Sequence, residues 1–351
     1  MNKEINVGLL SYGMAGNYFH APFIHFTEGM KLAKVLERHS DNSAKDYPGV
    51  QVVRNLNDIL NDDNIDLVVI ATPNQTHFEI GRQSILAGKH VVMEKPFTPT
   101  STEAQELLEL AQKHNRILSP FQNRRLDSDF LTVKKLLEDK RLGDLVEFES
   151  HFDRFRNYLR RDTWKEEPGA GSGVLYDLGT HLIDQALVLF GLPGMITADI
   201  RIQRDYSLTD DYFEVILHYD KLKVTLKAGT LVMEDSPRFI LHGTKGSFVK
   251  YGVDPQEEDA KQGHKPSEKN WGVEPEELQG TLYTERDGKI IEEKIKSFAG
   301  CYQNYYSNIR DVINNKAELL VKPEEARNII RIIELAYLSN KEKRTVDFST
   351  K

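Results

Sequence analysis

The order of the apolar runs in the first third of the chain is the feature that most constrains its fold. From Ile5 onward, short apolar runs typical of buried strands alternate with segments of helical periodicity. Such alternation predicts βα units that build a parallel sheet. The predicted strands cover residues 5–10, 32–36, 50–53, 66–70, 90–93 and 117–121, and the predicted helices 13–26, 56–60, 78–86 and 100–114.

The pattern changes after about residue 122, where longer strands alternate between polar and apolar residues. This alternation predicts an antiparallel sheet with one face against a core. The polar stretch 252–280 is predicted to be a long surface loop. Helices are predicted at 129–138, 173–190, 305–314 and 323–339, and strands at 145–155, 196–203, 212–219, 222–231 and 238–241, followed by a hairpin at 286–288.

Composition narrows the class of protein. The net charge of −8, with acidic and basic residues interspersed, argues against nucleic-acid binding, which needs a clustered basic face. No apolar run approaches the ~20 residues that span a bilayer, so no membrane partner is predicted. The chain starts without a secretory apolar stretch, and its single cysteine, Cys301, cannot form an internal disulfide. A cytoplasmic location is therefore expected.

The turn after the first predicted strand carries the spacing of a dinucleotide site. Ser11, Gly13 and Gly16 occupy the three positions of the G-x-G-x-x-G fingerprint, with serine in place of the first glycine. Gly13 would let the backbone approach a pyrophosphate, and Gly16 would allow close helix–strand packing. The predicted cofactor-binding residues of this turn are Ser11, Tyr12, Gly13, Met14 and Ala15.

The end of the second predicted strand carries two opposite signals for the nucleotide. An acidic residue here binds the ribose hydroxyls of NAD, whereas an arginine accommodates the 2′-phosphate of NADP. Glu37 and Arg38 stand side by side at this point, and both are predicted cofactor contacts. A solvated charge cluster is the structural alternative, and the choice between NAD and NADP stays open.

Two further strand ends belong to the same predicted crevice, because ligands bind at the carboxyl ends of the strands in a doubly wound sheet. After strand 66–70, either Asn74 or Thr76 is a candidate cap of the next helix. After strand 90–93, Lys95 is a candidate catalytic cation, with a solvated lysine as the alternative. The predicted cofactor contacts at these two ends are Thr72, Pro73, Asn74, His77, Glu94 and Lys95.

The predicted helix 173–190 carries polar residues on an otherwise apolar surface. Asp177 and His181 are four residues apart and would share one face, and Asp184 would follow on the same side. An Asp–His ion pair or a core histidine would explain them structurally. Together with Lys95 and a nucleotide turn, a catalytic role ranks first. The scattered histidines and single cysteine predict no metal site.

These residues together resemble the glucose–fructose oxidoreductase/inositol dehydrogenase (Gfo/Idh/MocA) family over essentially the whole chain. The motifs that carry the resemblance are Ser11-x-Gly13-x-x-Gly16, Thr72-Pro73-Asn74-x-x-His77, Glu94-Lys95-Pro96 and Asp177-x-Gly179-x-His181. Stretches similar to the NADP-dependent scyllo-inositol dehydrogenase-like branch are Phe19-His20-Ala21-Pro22, Asn123-Arg124-Arg125, residues 150–156 and residues 250–257.

The resemblance implies an α/β fold with two domains. Residues 1–122 would form an NAD(P)-binding Rossmann domain, a doubly wound parallel sheet. Residues 123–351 would form a C-terminal α/β domain for substrate binding and oligomerisation, built on an open, largely antiparallel sheet. The last helices would pack back on the first domain. The free face of the second sheet implies a homodimer or homotetramer.

The resemblance also implies an NAD(P)-dependent dehydrogenase that acts on a secondary alcohol of a polyol or sugar such as an inositol. His181 would be the general base, Asp177 would hold the imidazole or bind a hydroxyl, and Lys95 would stabilise the alkoxide or itself carry the proton. Asn123 is a further predicted cofactor contact. The predicted substrate contacts are Lys95, Arg124, Asp153, Arg156, Tyr176, Asp177 and His181.

Several alternatives stay open at the level of sequence. The branch favours NADP, whereas Glu37 favours NAD. Ion pairs or hydrogen bonds at a domain interface would equally explain Asn123, Arg124, Asp153, Arg156 and Tyr176. A catalytically silent, nucleotide-sensing regulator is the alternative function, and a glycoside, an amino sugar or a dihydrodiol is the alternative substrate.

Overall fold

The computed structural model describes residues 3–160 and 166–349. Its strands are β1 Ile5–Leu10, β2 Met30–Leu36, β3 Gln51–Val53, β4 Leu67–Ile70, β5 His90–Met93, β6 Leu118–Pro120, β7 Leu145–His151, β8 Met195–Arg201, β9 Tyr212–His218, β10 Lys223–Gly229, β11 Phe239–Gly243, β12 Gly246–Lys250, β13 Gly280–Arg286, β14 Lys289–Ile295 and β15 Val346–Asp347. Its α-helices are α1 Ala21–His25, α2 Asn42–Asp46, α3 Asn57–Leu60, α4 His77–Leu86, α5 Ser101–Lys113, α6 Ser128–Glu138, α7 Thr180–Phe190, α8 Gln256–Lys261, α9 Gln303–Ile313 and α10 Pro323–Glu342.

The chain divides into two compact units, and each unit is assembled from three segments of sequence. The first unit takes the described residues of Met1–Leu126, Gln256–Trp271 and Cys301–Arg327. The second takes those of Asp127–Pro255, Gly272–Gly300 and Asn328–Lys351.

The first unit is built on a six-stranded parallel sheet with the order β3-β2-β1-β4-β5-β6. This order is that of a doubly wound Rossmann sheet, so the predicted fold of this region is confirmed. Side chains of a strand alternate between the two faces of its sheet. Val7 and Leu9 of β1 therefore pack in one core with Tyr305 and Tyr306 of α9, whereas Leu10 packs in the other.

The second unit is built on a nine-stranded sheet with the order β14-β13-β12-β11-β7-β10-β9-β8-β15. Its described strands pair antiparallel except for β7 and β10, which run parallel. The predicted largely antiparallel sheet is thus confirmed. One face packs on a core that includes Phe130 of α6, Ile183 of α7 and Ile332 of α10. These helices bury apolar residues that recur at helical spacing, which supplies the driving force for the layer.

Several elements differ from the prediction. The helix predicted at 13–26 begins with a π-helical turn, Gly16–His20, and the helix predicted at 173–190 begins with another, Leu175–Gly179. Helix α8 lies inside the stretch that was predicted to be a loop. Strand β7 ends at His151 rather than at Phe155, which forms a single bridge with Leu231. Within residues 3–160 and 166–349, no helix is long and apolar enough to cross a membrane.

Candidate active site

The turn after β1 holds Ser11 in a left-handed backbone conformation. Its φ is +88°, a region that favours glycine and is uncommon for other residues. Ser11 therefore adopts the conformation that the first fingerprint glycine would take. The Ser11 Oγ accepts a hydrogen bond from the Gly13 N–H at 3.3 Å, and this local bond helps to stabilise the turn.

Gly16 and Gly13 differ in the space around them. A Cβ on Gly16 would lie 2.1 Å from the Ser11 carbonyl oxygen, so only glycine fits against the strand end. Gly13 is exposed, and the nearest described atom to a Cβ there would be the Ser11 Oγ at 3.6 Å. The backbone at Gly13 is therefore open to a phosphate, as a dinucleotide turn requires. Of its neighbours, Met14 is exposed, and the Tyr12 hydroxyl donates to Asp46 at 2.8 Å.

The carboxylate of Glu37 is turned inward, and its predicted contact with the ribose stays a prediction. Glu37 is 4 % exposed. One of its oxygens accepts hydrogen bonds from the Ser43 N–H and hydroxyl, and the other from the Ser40 hydroxyl and the Asn42 N–H, at 2.5–3.1 Å. Burial raises the pKa of Glu37, but these hydrogen bonds outweigh burial and hold the pKa below its usual range. Glu37 is thus an ionised internal acceptor at the start of α2.

Arg54, which the sequence did not predict as a site residue, also bonds to the loop 37–43. Its guanidinium donates to the carbonyl oxygens of Glu37 and Ser40, both at 2.6 Å, and pairs with Asp41 at 2.7 Å. With these bonds the loop 37–43 has a defined shape, and Arg38 is exposed on it. An exposed guanidinium beside the dinucleotide turn is suited to the 2′-phosphate of NADP.

The turn after β4 is organised by hydroxyl groups rather than by the predicted cap. The Thr76 Oγ1 donates to the Pro73 carbonyl oxygen at 2.7 Å and lies 2.7 Å from the Thr72 Oγ1. Thr76 is the N-cap of α4 but makes no side-chain cap bond, and Asn74 lies in a 3₁₀ turn before it. The capping prediction is therefore wrong. Thr72 and Pro73 stay accessible, whereas Asn74 is buried.

His77 is buried and contacts the backbone of two separate turns. It is 1 % exposed, and its two ring nitrogens each lie 2.9 Å from a carbonyl oxygen, Nδ1 from that of Pro96 and Nε2 from that of Thr72. The imidazole thereby connects the turn after β4 with the segment that carries Lys95. His77 thus helps to hold these two turns together, and its predicted contact with the cofactor stays a prediction.

Glu94 and Lys95 follow β5, at the carboxyl end of the parallel sheet. Glu94 is 8 % exposed, and Lys95 is partly buried. One Glu94 oxygen accepts from the Lys95 N–H at 2.8 Å, and the other lies 3.1 Å from the Nε2 of His20. The His20 Nδ1 in turn lies 2.5 Å from the Tyr306 hydroxyl. Both carboxylate oxygens are thus hydrogen-bonded inside the unit, and the predicted contact of Glu94 with the cofactor stays a prediction.

Asn123 and Arg124 begin the 3₁₀ turn Asn123–Leu126, just after β6. Asn123 is buried, and Arg124 pairs with Glu257 of α8 at 2.6 Å. This ion pair joins two segments of the first unit that are far apart in sequence. An ion pair was the structural alternative to a substrate contact for Arg124. Both partners lie in the first unit rather than at a domain interface.

In the second unit, the π-helical turn Leu175–Gly179 carries Tyr176 and Asp177, and α7 carries His181. Asp177 is partly exposed, whereas His181 is 4 % exposed. The Tyr176 ring stacks on Tyr337, with centroids 6.1 Å apart. The predicted common face assumed α-helical rotation, and a π-turn rotates the residues that follow it differently.

The segment after β7 adds arginines and an aspartate. An Arg154 Nη lies 3.5 Å from an Asp177 oxygen, a contact that the sequence did not predict. Asp153 accepts from the Gly229 N–H at 2.8 Å and lies 3.2 Å from the His151 Nδ1, so it holds this segment to β10. Burial and the neighbouring charges of Arg154 and Arg160 lower the pKa of Arg156.

The structure thus brings two groups of predicted residues to particular places. The Rossmann turns and Lys95 lie along the carboxyl end of the first sheet, and Tyr176 and Asp177 share the π-turn of the second unit. The sequence did not predict the contacts of His20 with Glu94 and Tyr306. His20 stands in a stretch already noted for the family branch, whereas Tyr306 is 286 positions away from it and carried no signal. Over residues 3–160 and 166–349, no group of three His, Cys, Asp or Glu is arranged to hold a metal ion.

Both parts of the chain match models of one protein family. Residues 5–122 match the GFO_IDH_MocA model described as an oxidoreductase family, NAD-binding Rossmann fold. Residues 134–348 match the model of the C-terminal alpha/beta domain of the same oxidoreductase family.

Similar proteins extend over the full chain. The sequence is 44 % identical over 346 residues to the uncharacterized oxidoreductase YdgJ of Escherichia coli K12, covering 99 % of each. It is 41 % identical over 342 residues to the Bacillus subtilis protein named scyllo-inositol 2-dehydrogenase (NADP(+)) IolW, covering 97 % of this chain and 95 % of that one. A solved structure of yvaA from Bacillus subtilis matches with a TM-score of 0.96 at 41 % identity, covering 99 % of both chains.

Proposed function

Because this chain belongs to the Gfo/Idh/MocA oxidoreductase family, we propose that it transfers a hydride between NADP and a secondary alcohol, or the matching ketone, of a polyol or sugar. The observation that carries this proposal is Lys95, which follows β5 at the carboxyl end of the Rossmann sheet beside a buried, hydrogen-bonded carboxylate. The printed activity of the 41 % identical relative supports an inositol-like substrate.

The proposed reaction assigns separate roles to the cofactor and to His181, Asp177 and Lys95. NADP, when bound, supplies or accepts the hydride. His181 takes the hydroxyl proton, since imidazole is the side chain best matched to proton transfer near neutral pH. Asp177 orients this imidazole or a neighbouring hydroxyl, and Arg154 lies 3.5 Å from its carboxylate. The Lys95 ammonium stabilises the developing alkoxide.

The loop after β2 favours NADP over NAD. Glu37 stands at the position where an acidic residue normally selects NAD, but its oxygens accept four hydrogen bonds within the loop. A carboxylate so engaged does not need the ribose hydroxyls, and it does not repel a 2′-phosphate as an exposed one would. Arg38 is exposed on the same loop and supplies a matching cation.

The test is a screen of inositols, aldoses and glycosides with NADP and NAD in parallel, followed by Lys95→Ala on the best substrate. We expect a loss of about 10²–10³-fold in kcat with NADP affinity within a few-fold of wild type. Lys113→Ala, at the exposed end of α5, is the control. Near-normal turnover by Lys95→Ala would overturn the assignment. Binding of NADP without turnover of any compound would favour a nucleotide-sensing regulator instead.

We further propose that the chain forms a homodimer or homotetramer through the outer face of the nine-stranded sheet. Ile216, Thr225, Glu149, Ile240 and Val249 are register neighbours across five strands. They are opposite in phase to the core residues of these strands, and the three aliphatic ones stay partly exposed. Such a row of apolar and polar side chains is suited to pairing with a second copy. The single cysteine is consistent with a cytoplasmic location for the assembly.

Light scattering coupled to size-exclusion chromatography tests this assembly. Ile240→Lys places a positive charge within the row and is expected to shift the protein to monomers. Leu192→Lys, at an exposed site after α7, is the control. A wild-type protein that elutes as a monomer at micromolar concentration would contradict the proposal.

A further inference from the structure

A continuous chain of buried polar groups ends at the peptide of Lys95. His20 and Tyr306 have no measurable exposure, and Glu94 is 8 % exposed. The His20 ring lies 4.4 Å from the ring of Phe121, centroid to centroid, so the chain runs through an aromatic environment. Buried polar groups in such surroundings are unfavourable unless each is hydrogen-bonded, and here every link has a partner.

The donors and acceptors of this chain fit one direction. The ionised Glu94 only accepts, so its Oε1, 3.1 Å from His20 Nε2, assigns the proton to that nitrogen. In the tautomer with its proton on Nε2, the His20 Nδ1 accepts from the Tyr306 hydroxyl. Burial raises the pKa of Tyr306 well above its usual range, which keeps this hydroxyl protonated. The other Glu94 oxygen accepts from the Lys95 N–H at 2.8 Å.

We propose that Tyr306 and His20 are positioning residues that fix the Glu94 carboxylate against the Lys95 backbone N–H, so that the turn that carries Lys95 is held in place for turnover. This inference rests on the proposed function, in which Lys95 is the catalytic cation. This series of hydrogen bonds runs from Tyr306 in α9 through His20 in the π-turn Gly16–His20 to the Lys95 peptide. Tyr306 and His20 are 286 positions apart, so the series connects the proposed catalytic lysine to the core of its unit.

Five titratable groups interact electrostatically with the Glu94 carboxylate. His20 and Lys95 lower the pKa of Glu94, whereas the charge of Glu94 acts to raise the pKa of His77, Tyr305 and Tyr306. Burial raises the pKa of Glu94, but His20 and Lys95 outweigh burial and place it below its usual range. Removing the His20 hydrogen bond therefore moves the pKa of Glu94 upward.

Tyr305 provides a matched control for Tyr306. The two tyrosines are adjacent in α9 and equally buried. The Tyr305 hydroxyl bonds to Ser119 at 2.9 Å rather than to His20. Tyr305→Phe and Tyr306→Phe thus delete the same atom at the same depth, and only the second interrupts the chain to Glu94.

The experiment compares His20→Phe, His20→Gln, Tyr306→Phe and Tyr305→Phe in the full chain with NADP. For His20→Phe we expect kcat at pH 7 to fall about tenfold, because Lys95 is held less firmly. Tyr306→Phe should lower kcat less, and Tyr305→Phe should leave it unchanged. Gln at position 20 both donates and accepts, so it should restore most of kcat.

A second readout does not depend on turnover. The side-chain carboxyl ¹³C resonance of Glu94, assigned with Glu94→Gln, titrates with its own pKa, which should rise in His20→Phe and to a smaller extent in Tyr306→Phe. Equal shifts in Tyr305→Phe and Tyr306→Phe, or an unmoved Glu94 resonance in His20→Phe, would overturn the proposal. If Lys95→Ala keeps its turnover, the proposed function fails, whereas the Glu94 titration still decides the state of the buried chain.

Discussion

Glu37 and Glu94 each follow a strand of the same parallel sheet, both are almost fully buried, and both have a pKa below the usual range. They differ in where their partners come from. Glu37 is bonded by Ser40, Asn42 and Ser43, at most six positions away. Glu94 is bonded by its neighbour Lys95 and by His20, 74 positions away.

This difference separates two roles for a buried carboxylate at a strand end. Local partners shape one loop, so Glu37 should influence how the nucleotide is bound. Distant partners connect a strand end to other elements, so Glu94 should influence how the reacting groups are held. Substitution of Glu37 should therefore act mainly on the KM for NADP, and substitution of Glu94 mainly on kcat.

Among the substitutions that test this comparison, Glu94→Ala should have the largest effect. It removes the acceptor of the Lys95 N–H and leaves the buried His20 Nε2 without its carboxylate, so Lys95 loses its fixed position. Small misplacements of a reacting group cost about 10²-fold in rate, and we expect kcat to fall by about that factor. Steady-state kinetics at saturating NADP measures it. If the KM for NADP rises as much while kcat is kept, the separation of roles is wrong.

How far the sequence predicts these features depends on the range of the interactions. The buried parallel strands and the family were predicted correctly because each strand is a continuous apolar run and each motif is local. Helix α8 and the short strand β15 were missed because polar or very short segments carry little periodicity. The domain boundary at residue 122 stays a prediction.

The orientation of the acidic side chains and the local helix geometry of the site were not predictable from the sequence. A motif identifies Glu37 or Glu94 but not the direction in which its carboxylate points, which depends on the donors that surround it. The π-turn before α7 was read with an α-helical period, because one additional residue per turn leaves no mark in the spacing of apolar residues. The roles of Lys95, Asp177 and His181 remain proposals for the same reason.

The next effect in size concerns Arg38, which sharpens the role assigned to the Glu37 loop. Arg38→Ala removes an exposed cation proposed for the 2′-phosphate, and a charge-assisted hydrogen bond contributes about 1.5–3 kcal/mol. We expect the KM for NADP to rise at least tenfold, with little change in the KM for NAD and in kcat. Arg82→Ala, on the exposed side of α4, is the control. Equal losses with NADP and NAD would exclude a 2′-phosphate contact.

The smallest expected effect is the pH-dependent stability contributed by Glu37. Its folded pKa is lowered, so its contribution is present above the unfolded value of about 4.3 and is lost as the pH falls through the folded value. Glu37→Gln keeps the shape but not the charge, so the protein should be less stable than wild type by about 1–3 kcal/mol at pH 7. The difference in urea unfolding midpoint should shrink as the pH is lowered below 4.3.

Glu106→Gln, at an exposed position of α5, controls for the removal of one negative charge. The comparison with Glu94 makes this measurement decisive for the loop. In Glu37→Gln the loss of stability should be accompanied by a higher KM for NADP and an unchanged kcat, because the four hydrogen bonds all lie within the nucleotide loop. A midpoint difference that is constant from pH 7 to pH 3.5 would mean that Glu37 is not the ionised centre of that loop, and its inward carboxylate would then no longer argue for NADP.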